Sequence, residues 1–379
     1  MIKVNQFRIS SESSLTTISR YTEISKTQWH HLENKGSPFL SFEFFSALEK
    51  SHSVGKESGW DPIYIIDSKG SGLFTYVKNH SYGEYIFDWE WANFYHRYGI
   101  SYYPKLTSMI PFTSVTTKHL LGDEFEDVMD SYENLYLQNP FSSSHFLFIT
   151  QEEIPFFQKR GYLIRDSFQY HFINQSYVSF DHFLSNLKQK KAKQIKKERL
   201  FDAEIEITKI TKESLSDEYA DEMYLFYLTT INQKNGVSYL SNDFFRQIFS
   251  TLKNSIYYIR ATKNNRAVAG ALFFYSHERL YGRYWGANED IPNLHFELCY
   301  YQGIEICIEH KFSIFEAGAQ GEHKISRGFR PVKTFSAHKF KHPQFHEAIS
   351  KFISEERNFV ENAITKLSER LPFKSINNK

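Results

Sequence analysis

Two cysteines in 379 residues, Cys299 and Cys307, exclude a disulfide framework. They stand eight positions apart in one apolar-periodic stretch. On a helix rising about 1.5 Å per residue that is roughly 12 Å, beyond disulfide reach. Glycine (17) and proline (10) are modest, which excludes collagen-like and low-complexity chains. No run approaches about 18 apolar residues, so no membrane-spanning helix is expected. The opening MIKVNQFRISSESSL lacks the apolar core of a secretory signal. A soluble cytoplasmic protein is the expectation. Neither charge is in excess, with 45 Lys and Arg against 44 Asp and Glu. Nucleic-acid binding by the whole surface is thereby excluded, and any such role needs a local patch.

What the chain has in plenty is aromatic: 36 Phe and 25 Tyr, suited to large cores and apolar pockets. The length allows two domains of roughly 150–200 residues. We expect them at 1–172 and 173–379, the second carrying a basic helix (184–200) and a terminal amphipathic helix (342–372).

In the first half, Lys3 to Ile9 reads as a short strand. Apolar spacing from Pro38 predicts a helix, and PIYIIDSKGSGLFTYVK a hairpin. HSYGEYIFDWEWANFYHRYGI reads as an aromatic strand with charged ends, Glu84 and Asp88, followed by a helix. SYYPKL gives another strand, 122–137 a helix, and HFLFI a strand. Thr150 with Glu153 forms a capping box ahead of IPFFQKR, which Gly161 ends, and YLIRDSFQYHFI is a strand.

The second half opens on a charged stretch. Between Lys188 and Arg199 stand seven basic residues and one acid, Glu198. Read blandly, this is a solvated helix face; read functionally, Lys190, Lys193 and Lys197 face phosphates of coenzyme A or RNA. A strand (AEIEITKI) and helices at 213–234 and 244–252 follow, then three strands through IYYIRATKNNRAVAGALFFYSHERLYGRYWG. Helix 294–310, strand SIFEAG and a long amphipathic helix complete the chain. The hairpin at 62–78 is echoed at 255–275, and HSYGEYIFDW by RLYGRYWG. Two copies of a hairpin-plus-βαβ unit imply an α/β (α+β) class with mixed sheets, and a cleft between such domains is a common place for a site.

Polar residues concentrate at 281–331, where strand, helix and Gly-rich loop alternate. General-base chemistry needs a titratable side chain within reach of the reacting group and donors for developing negative charge. Glu297 and Glu322 are the first candidate bases, with His295 and His323 beside them. A carboxylate at 297 among Phe296, Tyr300 and Trp285 is expected to have a raised pKa. Arg283, Trp285, Tyr300, Tyr301, Glu316, Gln320, Lys324 and Arg327 are candidate binding residues, as are Lys78, His80, Tyr82, Glu84 and Lys105 from the first half. No H-E-x-x-H or comparable spacing marks a metal site.

The strings PFLSFEFFSALEKS, VKNHSYGEYIFDWEWA, YYPKL, IPFTSV, GRYWG, LHFELCYYQGIE and EAGAQGEHKISRGFRP, in this order along the chain, resemble the FemAB-like N-acyltransferase family within the GNAT superfamily. The resemblance runs over roughly 37–372. It implies a tandem pair of GNAT-like domains that transfer an acyl or aminoacyl group from acyl-CoA or aminoacyl-tRNA to an amine, in work related to peptidoglycan. It implies no tightly bound cofactor. The pyrophosphate loop of simple GNAT enzymes, Q/R-x-x-G-x-G/A, has no clear copy; Gly318-Ala319-Gln320-Gly321 is too short, which leaves the donor open. The competing expectation is a non-catalytic GNAT-like protein that binds a peptide, a cell-wall fragment or RNA.

Overall fold

The computed structural model describes residues 15–18, 20–32, 36–86 and 88–374. The strand expected at Lys3–Ile9 lies outside the described residues.

The first half runs β1 (Leu15–Ile18), α1 (Lys26–Leu32), α2 (Phe42–Lys50), β2 (Trp60–Asp67), β3 (Gly72–Lys78), α3 (Trp89–Arg97), β4 (Lys105–Ser108), α4 (Glu126–Gln138), β5 (Ser143–Ile149), α5 (Ile154–Lys159) and β6 (Leu163–Ile173). Pro38 opens only a 3-10 turn; α2 begins after Ser41, whose hydroxyl accepts from the Phe44 N–H at 3.2 Å. The capping box forms as expected, and Glu153 also accepts from the backbone N–H groups of His119 and Leu120. The second half runs α6 (Phe180–Ser185), α7 (Gln189–Glu198), β7 (Ile205–Thr211), α8 (Asp217–Gln233), α9 (Asn242–Thr251), β8 (Ile256–Lys263), β9 (Arg266–Tyr275) and β10 (Arg279–Ala287). It ends with α10 (Leu294–Phe296), a π turn (Glu297–Tyr301), α11 (Gln302–Glu309), β11 (Ile314–Glu316), β12 (Arg330–Phe340) and α12 (Pro343–Glu369). Asn264 and Asn265, at φ of 50° and 63°, make the two-residue turn between β8 and β9.

Two compact units result. The first holds the chain up to Ser167 together with Thr334–Glu361, the second Phe168–Lys333 and the chain from Asn362. Residues 334–361, which sequence order alone assigns to the second domain, join the first for two reasons. β12 pairs antiparallel with β5, and Phe345, Ile349 and Ile353 of α12 pack with Trp91 and Tyr95. Leu367, near the end of α12, joins the core of the second unit.

Strand order in the first unit is β1-β2-β3-β4-β5-β12, and in the second β7-β8-β9-β10-β11-β6. In both, the fourth and fifth strands are parallel and the other neighbours antiparallel. The internal echo is therefore real, but its partners shift by one element. HSYGEYIFDW forms no strand in its described residues; the counterpart of β10 is β4, which takes the same place beside its hairpin. The aromatic-strand reading fails because Glu84 and Asp88 turn inward to a lysine instead of flanking a solvated edge.

One close approach positions the second unit's site. A Cβ on Gly286 would fall 1.6 Å from the Phe226 carbonyl oxygen of α8, and one on the facing Gly270 2.8 Å from Tyr258. The glycine pair is the notch that lets α8 lie on β9 and β10, where Thr230 donates to the Trp285 carbonyl at 2.6 Å. Gly286→Ala is expected to destabilise the protein by roughly 3 kcal/mol, as overpacking against backbone does. Urea unfolding monitored by circular dichroism checks this; an unchanged midpoint would mean α8 shifts freely.

Candidate active site

The site grows from an irregular strand. Arg283 is the bulged residue at which the register of β10 on β9 slips, between Gly282 and Tyr284. β10 pairs with β11 only from Arg279 to Tyr281, so the two part beyond that point. Arg283 bridges the parting: it donates to Glu316 Oε2 at 3.2 Å and to the Glu316 carbonyl at 3.3 Å, while Arg279 holds Oε1 at 2.9 Å. Glu316 and Arg283, expected as ligand-binding residues, are thus tied to each other.

The helix expected at 294–310 starts at Leu294, after Asn293 at a φ of 64°, and widens into the π turn at Glu297. Such turns recur at functional sites because one extra residue re-aims the side chains around it. Glu297, the first candidate base, lies inside this turn, 2% exposed. Arg199 grips both its oxygens, at 2.8 and 2.7 Å, and Gln302 donates to Oε1 at 2.8 Å. Both oxygens of the expected base are thus committed to these partners. The guanidinium of Arg199 also reaches Glu305 at 2.8 Å and lies 4.4 Å from the centre of the Phe180 ring. The preceding residue, Glu198, accepts from Tyr301 and from Arg327 Nη2, the latter at 2.9 Å. Arg327 in turn donates to the Tyr301 oxygen (3.0 Å) and the His323 carbonyl (2.9 Å) and stacks 3.5 Å from Phe296.

Beside these pairs lies a small aromatic cluster. Tyr300 and His323 share a hydrogen bond at 2.8 Å. The ring of His295 lies 5.1 Å from Trp285, 5.2 Å from Tyr300 and 6.2 Å from His323, centre to centre. Burial pushes the His295 imidazole down to about 4, and the neighbouring titratable groups of His323, Lys324, Arg327 and Lys234 add to the effect. Burial likewise lowers His323, with Arg327 and Lys324 adding to it. Both rings are neutral at physiological pH.

Lys324 sits beneath them, 2% exposed. Its Nζ donates to the Gly318 carbonyl at 2.9 Å and lies 5.9 Å from the centres of the Tyr170 and Tyr300 rings. No carboxylate among the described residues lies within ion-pair distance of it, so burial drives the amine down to about 7, Arg283 adding to the effect against an opposing contribution from Cys299. Burial raises the Cys299 thiol, which keeps it protonated and a poor nucleophile.

Other expected residues fall elsewhere. Glu322, the second candidate base, is exposed and ion-paired with Arg370 at 3.0 Å, and Gln320 is exposed. Lys190, Lys193 and Lys197 are exposed along α7. Lys78, His80, Tyr82, Glu84 and Lys105 belong to the first unit and form their own cluster. Among the described residues no group of three or more His, Cys, Asp or Glu side chains is placed to hold a metal, and no helix is long and apolar enough to cross a membrane. Sequence reasoning missed Arg199, Glu198 and Glu305. Their one signal was an acid-base pair closing a lysine run, and its partners lie roughly a hundred residues away.

Two units with one strand order, each with a parallel fourth and fifth strand, make a tandem pair of α/β domains. The chain belongs to the FemAB-like family, described as peptidoglycan biosynthesis/recognition, whose model matches residues 20–375. It is similar in structure to the C-terminal domain (DUF2156) of a putative lysylphosphatidylglycerol synthetase from Agrobacterium fabrum, with a TM-score of 0.54 at 10% identity over 87% of this chain and 95% of that one. L-PGS from Bacillus licheniformis gives 0.52 at 11% identity over 87% and 97%, and FemX 0.52 at 8% over 88% and 100%. At such identities the likeness is one of fold. Comparison with curated proteins finds no match.

Removing Arg199 leaves a buried carboxylate without its partner. Arg199→Met is expected to lower the unfolding free energy by roughly 3 kcal/mol, and Arg199→Met with Glu297→Met to recover much of that loss. A double-mutant cycle in urea measures it; additive losses would disprove the clamp.

Proposed function

We propose that the protein is an N-acyltransferase. It moves an acyl or aminoacyl group from acyl-CoA or aminoacyl-tRNA to an amine by direct attack, in the second unit. The observation that carries this reading is Lys324: a buried amine poised near neutrality, beside two neutral imidazoles and a tyrosine, where β10 and β11 part. A base with a pKa near the working pH both exists in its free form and binds a proton usefully. As the acceptor nitrogen bonds to the donor carbonyl carbon, its proton passes to Lys324 Nζ. With His323 donating from Nε2 to the Tyr300 oxygen, the phenolic hydrogen is free to support the developing oxyanion. Collapse breaks the thioester C–S or ester C–O bond, and the leaving group takes the proton from Lys324. Trp285, His295 and Phe296 wall the acyl group and keep water out. The exposed lysines of α7 suit a donor rich in phosphate. The family's description supports a peptidoglycan-related amine as acceptor.

The test is transfer from charged tRNA and from an acyl-CoA panel to an amine library that includes peptidoglycan precursors. Lys324→Met is expected to lower kcat by roughly 10²–10⁴-fold, and the wild-type rate to rise as pH passes through about 7, where the amine loses its proton. No transfer from any donor would favour the binding-protein reading, and wild-type turnover in Lys324→Met would remove Lys324 from the reaction. Stability provides a second readout. Burial disfavours the charged form, so the folded pKa lies below the unfolded value of about 10.4. Between them the unfolded chain binds more protons, and stability rises with pH from about 7 upward. In Lys324→Met that part of the slope is expected to vanish, and at pH 7 the midpoint to rise.

Replacing Lys190, Lys193 and Lys197 by Gln is expected to weaken donor binding and flatten its dependence on salt, with little change in stability. Fluorescence titration of the donor at several salt concentrations checks this; an unchanged slope returns α7 to a solvated surface.

A further inference from the structure

In the first unit, one face of the sheet carries charge where a core is expected. Trp60 pairs with Lys78 and Lys78 with Lys105, so the three side chains leave β2, β3 and β4 on the same side. Helices cover this face to either side: Phe45 of α2 packs on Phe74, and Trp91 of α3 on Phe340. Between them the cover is the segment 79–88, whose described residues form neither helix nor strand.

That segment delivers Glu84 and Asp88. Lys105 Nζ donates to Asp88 at 2.5 Å, Glu84 at 2.8 Å and Ser81 at 2.9 Å. Lys78 is treated differently. Its Nζ reaches the Tyr82 carbonyl at 3.3 Å, lies 3.4 Å from the centre of the Trp60 ring and stays 3.9 Å from Glu84 Oε1. Burial pushes Lys78 down to about 6, Lys105 adding to it against Glu84 and Asp88, so it is uncharged at neutral pH. Burial also works against the charge of Lys105, but Asp88 and Glu84 outweigh it and hold that ammonium above its ordinary range. Burial raises Glu84 against the pull of Lys105. Asp88 is held low: burial opposes its charge, but Lys105, Tyr102 and Ser81 outweigh it. Two carboxyl groups therefore face one lasting positive charge.

Hydrogen bonding points the same way independently. Glu84 Oε1, Asp88 Oδ1 and Trp60 Nε1 are fully buried and have no hydrogen-bond partner among the described residues. Buried polar atoms are rarely left so. The two orphan oxygens call for donors and for positive charge. The rings of Tyr102 and Tyr103, 5.2 and 5.9 Å from Lys105 Nζ, and of Trp60 present faces that favour a cation.

We propose that this face, beneath residues 79–88, binds a primary alkylammonium group. Three N–H donors and one positive charge satisfy Glu84 Oε1 and Asp88 Oδ1 together, and the uncharged Lys78 amine yields the Trp60 ring to the newcomer. The alkyl chain leaves through the cover, where Tyr82 and Trp89 are 50% and 44% exposed with rings 5.5 Å apart. Tyr85 there holds a φ of 55°, a strained value for a tyrosine.

Calorimetric titration of the full chain at pH 7.5 with n-butylammonium, Nα-acetyl-lysine methylamide and putrescine tests this. The last two distinguish a peptide lysine from a polyamine as the source. Saturable binding of at least one amine at one equivalent is expected, with tetramethylammonium and butyrate silent. Glu84→Gln is expected to weaken it about tenfold or more, as the loss of a charge-assisted hydrogen bond does. Because Glu84 also holds Lys105, the wild type labelled with 5-fluorotryptophan gives a readout independent of that variant's folding. The ¹⁹F line assigned to Trp60 through Trp60→Phe is expected to move on titration. Lys324→Met is expected to bind the amine as the wild type does, so this site and the transfer reaction fail separately. No saturable binding, equal binding by Glu84→Gln, binding of butyrate, or a Trp60 line that stays in place would each overturn the proposal.

Discussion

Glu297 is buried inside a helical turn, and Arg199 makes that tolerable. An ionised carboxylate taken from water is costly unless its oxygens meet positive charge in good geometry, and a planar guanidinium gripping both oxygens is the strongest such partner a side chain offers. The rest of the site follows from this pair. Anchoring Arg199 fixes the end of α7, which sets Glu198 against Tyr301 and Arg327. Arg327 then holds the carbonyl of His323 and the ring of Phe296. The π turn, the loop after β11 and the basic helix are one ionic framework, and Lys324 is the cation left outside it.

The two units spend their carboxylates differently, and their chemistry diverges as a result. In the second, Glu198, Glu297, Glu305 and Glu316 all go to arginines. An arginine keeps its charge under any ordinary burial, so these pairs are scaffolding. Lys324, left with a backbone carbonyl, becomes the titrating group. In the first, Glu84 and Asp88 share Lys105, and Lys78 rests on an indole ring. Lysine's point charge leaves carboxylate oxygens unmet where arginine's fork would cover them. One repeated strand order thus frames a buried lysine without a carboxylate partner in one unit and a lysine shared by two carboxyl groups in the other.

Local features read well from the chain because their causes are local. The capping box at Thr150 and Glu153 and the amphipathic stripe of α12 each depend on residues a few positions apart. The duplication was legible in the hairpins, yet its alignment slipped at HSYGEYIFDW, where aromatic richness imitates a strand. Within 281–331, His295, His323, Tyr300 and Lys324 do come together. Glu297 and Glu322 are each taken by an arginine that sequence order does not place beside them: Arg199 for one, Arg370 at the surface for the other.

Composition and periodicity by themselves determined two α/β units with large aromatic cores, a basic helix, and a polar stretch after the third strand of the second hairpin set. They could do so because burial periodicity and turn chemistry are written in neighbouring residues. Tertiary structure alone decided that residues 334–361 complete the first unit, that the helix at 294 widens into a π turn, and that Lys324 is buried without a carboxylate partner. Each of those depends on partners far apart in sequence, and the charge state of a buried group is a property of its surroundings that no single residue carries.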